Sequence, residues 1–283
     1  MPDVRLRGGE VDGLRLHYIV EGHGPAVILL HGLGGFAASW RHNIPALARR
    51  ATVYALDLPG FGTSAKPAGP YHLPWFARAL DGFVETLGLP PAALVGHSLG
   101  GAVAVAYALT RPARVERLAL VGACVPGFGF RPPWIYRLVA LRGVGEALSL
   151  LGSAALFKAA LARCFHAPAR AEVDFFVDHE YAERASGPAR AAYLATLRGV
   201  RADFEARAPD YRRTLATLDV PVLLIHGRQD RVVPPVHCAE VVEAFPHAGV
   251  RWLDACGHFP QIEHAPAVNG WLSDFLVGRP APR

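Results

Sequence analysis

The chain is poor in features that would assign it to most functional classes. Its four cysteines, Cys124, Cys164, Cys238 and Cys256, show no C-x-x-C spacing. That argues against a metal site or redox pair and reads as free, largely buried thiols. There is no block of like charge. The formal net charge of +5 is scattered over single arginines, so no nucleic-acid surface is expected. The opening MPDVRLRGGE holds no apolar stretch of signal-peptide type, and a cytoplasmic location is expected. Neither G-x-x-x-x-G-K-[ST] nor G-x-G-x-x-G occurs, which disfavours nucleotide binding, and there is no internal repeat. Nothing suggests disorder: 52% of the 283 residues are hydrophobic, enough for a large buried core. That length suits one α/β domain with an insertion, or two domains.

The longest charge-free stretch runs from Thr86 to Thr110. Its length invites a membrane reading, but Pro90-Pro91 and a glycine cluster interrupt it. Ala92 to Val95 is a short apolar run of buried-strand type, and Leu99 to Leu109 is Ala-rich and helical. Between them, Gly96-His97-Ser98-Leu99-Gly100 fits G-x-S-x-G, a nucleophile elbow. Small residues two places either side of the serine let strand and helix approach closely. The helix start turns its unpaired N–H groups and positive dipole end toward a developing oxyanion.

The rest of the chain alternates strand-like and helix-like segments. Val4 to Val20 reads as a hairpin about Asp12-Gly13. Ala26 to Leu30, Ala51 to Leu56, Leu118 to Val121, Val222 to Ile225 and Val250 to Leu253 read as strands. Helices are expected over Ala38 to Leu47, Pro74 to Leu87, Val236 to Phe245 and Ala267 to Val277. The implied fold class is α/β, with a mostly parallel central sheet flanked by helices. From Phe128 to about Arg213 strand periodicity is absent, and helices are expected at Ile135 to Leu141, Ala147 to Cys164 and Val173 to Tyr181. This gives a core of residues 1–127 and 214–283. An all-helical cap, 128–213, is inserted after the sixth strand and lies over the sheet's carboxyl edge, where ligands bind. Its apolar portion includes Phe128, Phe130, Trp134, Ile135, Leu148 and Leu156. Ala147 to Phe157 is charge-free but too short to span a bilayer, so no stable membrane insertion is expected.

Several polar residues follow strands. His31-Gly32-Leu33-Gly34-Gly35 reads as an oxyanion loop anchored by His31. Asp57 begins a turn-rich loop ending at Ser64, and a structural role suits it better than catalysis. Asp230 lies just beyond a buried strand, where a catalytic acid belongs, and His258 follows the last strand. His97, His226 and His264 read as packing or turn residues. Glu263 reads equally as support for the His258 loop or as a solvent-facing helix start. The order serine, aspartate, histidine distinguishes this arrangement from the chymotrypsin and subtilisin ones.

Together these motifs resemble the α/β-hydrolase fold family over nearly the whole chain. Asp57 to Ser64 is similar to that family's D-x-x-G-x-G-x-S segment. His226-Gly227-x-x-Asp230-x-x-Val233-Pro234 and Gly257-His258-Phe259-Pro260 are similar to its acid and base segments. The resemblance implies a Ser98–His258–Asp230 triad, with the backbone N–H groups of Leu33 and Leu99 as oxyanion donors. It implies no cofactor and no metal. The expected substrate is a small apolar ester, with Trp134 and Phe259 lining its pocket. The serine disfavours the haloalkane-dehalogenase and epoxide-hydrolase branches, whose nucleophile is usually aspartate. Meta-cleavage carbon–carbon hydrolases are the runner-up, although they commonly carry asparagine where His97 stands and tryptophan where Phe259 stands. A receptor-like binding module on the same scaffold is the third reading.

Overall fold

In the computed structural model, residues 2–128, 133–151, 153–181, 183, 186–245 and 247–277 are described. Phe130, expected in the helical insertion, lies outside them. Eight strands form one sheet in the order β1-β2-β4-β3-β5-β6-β7-β8. They are β1 (Asp3–Arg5), β2 (Arg15–Glu21), β3 (Ala26–Leu30), β4 (Thr52–Leu56), β5 (Ala92–His97), β6 (Val115–Val121), β7 (Val222–Gly227) and β8 (Gly249–Leu253). The N-terminal hairpin pairs β1 with β2 antiparallel, and β2 runs antiparallel to β4. Every other neighbouring pair is parallel.

The continuous apolar runs of the central strands follow from burial on both faces. Along β3, Ala26, Ile28 and Leu30 point into one core while Val27 and Leu29 point into the other. The first core is closed by α2 (Leu73–Thr86) and α3 (Leu99–Thr110), and the second by α1 (Ile44–Leu47) and α11 (Ala265–Val277).

Some helices are shorter than the sequence pattern suggests. Over Ala38 to Leu47 the chain makes a 3₁₀ turn, Ala37–Trp40, and restarts as α1. Pro45 is the cause: lacking an N–H, it suits a first helical turn rather than an interior. Ala147 to Cys164 divides into α5 (Val144–Leu151) and α6 (Ala154–Ala162). The Ser153 hydroxyl accepts from the Leu156 N–H at 3.3 Å and caps the second.

Between β6 and β7 the assigned elements are all helical. They are α4 (Trp134–Val139), α5, α6, α7 (Arg170–Phe176) with a π turn to Tyr181, and α8 (Gly187–Leu215). The last runs unbroken through Gly199 and contains Pro209. Gly199 packs where a side chain would meet the backbone of Pro70 and Tyr71, so it marks a close approach rather than a break. After β7 come α9 (Pro235–Ala244) and, past β8, the short α10 (Pro260–Glu263). Among the described residues no single helix is long and apolar enough to cross a membrane.

Candidate active site

The parallel register aligns the carboxyl ends of β5, β6 and β7: His97 is opposite Val121, and Val121 opposite Ile225. Ser98 therefore leaves the sheet beside the turn after β6, held by its N–H to the Val121 carbonyl at 3.1 Å. Its backbone is strained, with φ 52° and ψ −117°, and it caps α3 directly. Close packing enforces this turn. A Cβ on Gly96 would lie 2.5 Å from the Gly100 carbonyl oxygen, and one on Gly100 would lie 2.2 Å from that of Leu30. Ser98 is 7% exposed.

The loop after β3 lies against this turn, since a Cβ on Gly32 would sit 3.1 Å from the Ser98 Cβ. Two bonds of His31 hold the loop. Its Nε2 accepts from the Leu58 N–H at 2.9 Å, so Nδ1 carries the proton and donates to the Gly32 carbonyl at 2.7 Å. His31 is buried, and burial lowers its pKa despite the nearby Asp57 charge. Leu33 follows Gly32 in this loop. Leu99 is the first residue of α3, so its N–H has no acceptor within the helix.

Asp57 is committed elsewhere. One oxygen accepts from the Ala37 N–H at 2.6 Å and the other from the Thr63 N–H at 2.7 Å, which pins the turn-rich loop.

Asp230, just after β7, and His258, just after β8, meet. The His258 Nδ1–H donates to Asp230 Oδ2 at 2.8 Å, and both residues are buried. The other oxygen, Oδ1, accepts from the N–H groups of Val232 and Val233 at 2.8 and 2.9 Å. Burial pushes the Asp230 pKa up, but His258, His226 and the Val233 N–H outweigh it, and the carboxyl stays below its ordinary value. With Nδ1 committed to a carboxylate, the His258 Nε2 is left without a proton in the neutral ring. His226 donates from Nε2 to the Val233 carbonyl at 2.9 Å, a turn role as its position suggests.

His97 has a larger part than packing. Its Nε2–H donates to the His258 carbonyl at 2.7 Å, and the two rings lie 4.8 Å apart between centroids. Burial first, and the neighbouring His258 second, push its pKa down to about 3, so it is neutral at ordinary pH. Two thiols close by are inert as nucleophiles. Burial raises Cys124 to about 12 and raises Cys256 as well.

The loop carrying His258 is tied to the helical segment, which the sequence did not reveal. The His258 N–H donates to the Cys164 carbonyl at 2.7 Å. Glu263 accepts from Gly257 N–H at 2.9 Å and Phe259 N–H at 3.3 Å on one oxygen, and from His166 N–H at 2.7 Å on the other. The only signal was the spacing of Glu263, five residues after His258. Phe259 stacks on Phe165 with centroids 4.5 Å apart and packs on Phe176 and His97. Phe36 also packs on Phe176, with centroids 5.5 Å apart. Arg41 lies over the Phe175 ring and pairs with Glu172, which also accepts from His42 at 3.0 Å.

Trp134, expected to line the pocket, stands 71% exposed. It opens α4, a helix that buries none of its residues, so nothing turns its ring inward. Among the described residues no group of three or more His, Cys, Asp or Glu is placed to hold a metal ion.

The sequence model of the alpha/beta hydrolase fold matches residues 25–265. An uncharacterized protein of Mycobacterium tuberculosis is 31% identical over 88% of this chain and 74% of its own length. The 2-hydroxy-6-oxononadienedioate/2-hydroxy-6-oxononatrienedioate hydrolase of Paraburkholderia phymatum is 33% identical, over 96% of this chain and 93% of that one. The solved structure of 2-hydroxy-6-oxo-6-phenylhexa-2,4-dienoate hydrolase from Rhodococcus sp. strain RHA1 is 29% identical. It has a TM-score of 0.82 and covers 97% of this chain and 98% of that one.

Proposed function

The chain belongs to the α/β-hydrolase fold family, and from that premise we propose that it cleaves small or medium carboxylic esters through an acyl-enzyme. The observation that carries this reading is the buried Asp230–His258 pair, 2.8 Å apart, which leaves His258 Nε2 as a base. Ser98 Oγ attacks the ester carbonyl while His258 takes its proton. The N–H groups of Leu33 and Leu99 receive the oxyanion. Collapse breaks the acyl–oxygen bond, and the alcohol leaves with the proton from His258. Water then attacks the acyl-enzyme, gives its proton to His258, and Ser98 regains it as the acid departs. Asp230 stays ionised and steadies the imidazolium.

The helices between β6 and β7 act in this reading as a cap. The rings around Phe259 favour an apolar acyl or alcohol group, and Arg41 beside them is already engaged by Glu172. A second reading has support from relatives named for 2-hydroxy-6-oxo acids: the same three residues would cleave a carbon–carbon bond beside a ketone. His97 and Phe259, in place of that branch's usual asparagine and tryptophan, weigh against it.

The test is kcat/KM for aryl esters of increasing acyl length, beside a 2-hydroxy-6-oxo-dienoate and a triglyceride emulsion. The ester reading expects each added methylene to contribute about 0.8 kcal/mol, roughly fourfold, until the pocket is full. Faster turnover of the dienoate than of every ester establishes the second reading. Turnover confined to the emulsion refutes both.

A further inference from the structure

Of the nine large hydrophobic side chains exposed among the described residues, seven lie between Trp134 and Leu156. Trp134, Leu150 and Leu156 are 71%, 68% and 65% exposed. Single exposed apolar residues are ordinary, but a concentration in one segment marks a surface that something else covers. The orientation of α5 explains how it arises. Gly145 is buried, and a Cβ there would meet the Val139 carbonyl and Leu194 of α8, so this side of the helix faces inward. Val144, Ala147, Leu148 and Leu150 fall on the remaining face and are exposed.

The charge on this surface is mainly positive. From Pro133 to Arg163 there are four cations and one acid, Glu146. Both oxygens of that acid are drawn back to Arg198 of α8, at 2.7 and 2.9 Å. Lys158 pairs with Asp174. Arg137 and Arg142 are exposed and make no ion pair among the described residues, and Arg142 sits between exposed Leu141 and Val144.

A second copy of the chain is a poor cover for such a face. A two-fold interface sets a patch against itself and would oppose two faces of the same mainly positive charge. A negatively charged lipid surface meets both features at once, taking apolar side chains among its headgroups and arginines against its phosphates. We propose that the outer face of α4–α6 docks the protein peripherally on anionic lipid bilayers. This inference is independent of the reaction assigned to Ser98.

The experiment is co-sedimentation of the full chain with phosphatidylcholine vesicles, with and without phosphatidylglycerol, at low and high salt. Partition should require phosphatidylglycerol and weaken with salt. Arg137→Gln/Arg142→Gln should lower it roughly 30-fold, and Leu148→Gln/Leu150→Gln should lower it comparably, with melting temperature unchanged in each. If a variant melts early, fluorescence quenching by brominated phosphatidylglycerol decides the matter in the parent chain. Quenching that disappears in Trp134→Phe supports docking, and absence of quenching refutes it. Equal partition to both vesicles overturns the charge argument and with it the proposal. So does a dimer in solution that Leu148→Gln/Leu150→Gln dissociates while vesicles capture nothing.

Discussion

Replacing Glu263 by glutamine tests whether the His258 loop is held by charge as well as by shape. The carboxylate accepts from the N–H groups of Gly257, Phe259 and His166, which flank His258 and reach across to the α6–α7 connection. Glutamine has the same outline but only one acceptor oxygen. Its amide N–H₂ must then face a backbone N–H, donor against donor. The three bonds do not count equally. That to Phe259 is long at 3.3 Å, and His166 is exposed, so water can replace its partner. The amide therefore keeps its oxygen on Gly257, where the 2.9 Å bond survives only to a neutral acceptor, and the bond to His166 is lost. A hydrogen bond to a charged acceptor contributes ~1.5–3 kcal/mol, so the expected loss of stability is about 2 kcal/mol. For 283 residues that corresponds to a fall in Tm of about 3 °C. Activity should fall by a larger factor, because a small displacement of the proposed base costs up to ~10²-fold. The loss should appear in kcat with KM nearly unchanged, since Glu263 holds the loop of the proposed base and not the substrate. Differential scanning fluorimetry and ester kinetics on the same preparations read both quantities. Parental Tm and parental kcat in Glu263→Gln would refute the reasoning.

Asp230→Asn should lower ester turnover by ~10⁴, the loss produced by the same change in the serine-protease triad, while Ser98→Ala abolishes labelling by a serine-reactive phosphonate. Near-normal turnover in Asp230→Asn would mean that another group orients His258. Acid should also destabilise the fold through its buried histidines. Burial and then His258 push His97 down to about 3, and burial pushes His237 down to about 4, so both stay neutral when folded while the unfolded chain protonates them below pH 6.5. The unfolded state then binds more protons, so stability falls with pH from 6.5 toward 4, by about 1.4 kcal/mol per pH unit for each histidine. Tm measured between pH 7 and 4.5 should decline continuously, less steeply in His97→Gln; a flat profile contradicts the assignment.

What was legible in the sequence is what local rules determine. The buried strands, the elbow at Ser98 and the loops bearing His31, Asp57, Asp230 and His258 all carry short signals of period or turn chemistry. Their assembly at one sheet edge follows from parallel pairing, because each loop leaves a strand's carboxyl end. The structural role of Asp57 was readable from its turn. The helical insertion was not readable in the same detail. Its helices share one period, so nothing in the sequence says which face packs inward. Trp134 is the example: an aromatic beside an apolar run looks like a pocket wall, yet α4 leaves it in solvent. The bonds from Glu263 to His166 and from His258 to Cys164 span about a hundred residues, and no local pattern encodes contacts of that range.

Those long-range bonds divide the helical segment into two parts with different consequences. The α6–α7 part is joined to the His258 loop: Cys164 accepts from the His258 backbone, Phe165 stacks on Phe259, and Glu263 holds His166. Moving it away would break the bonds that hold the His258 loop. The α4–α5 part is joined instead to α8, through Arg198 with Glu146 and the carbonyls of Ala140 and Leu141. None of these bonds involves the loop that carries His258. The exposed apolar face lies mainly on the α4–α5 part, so the proposed docking involves none of the bonds that hold the His258 loop.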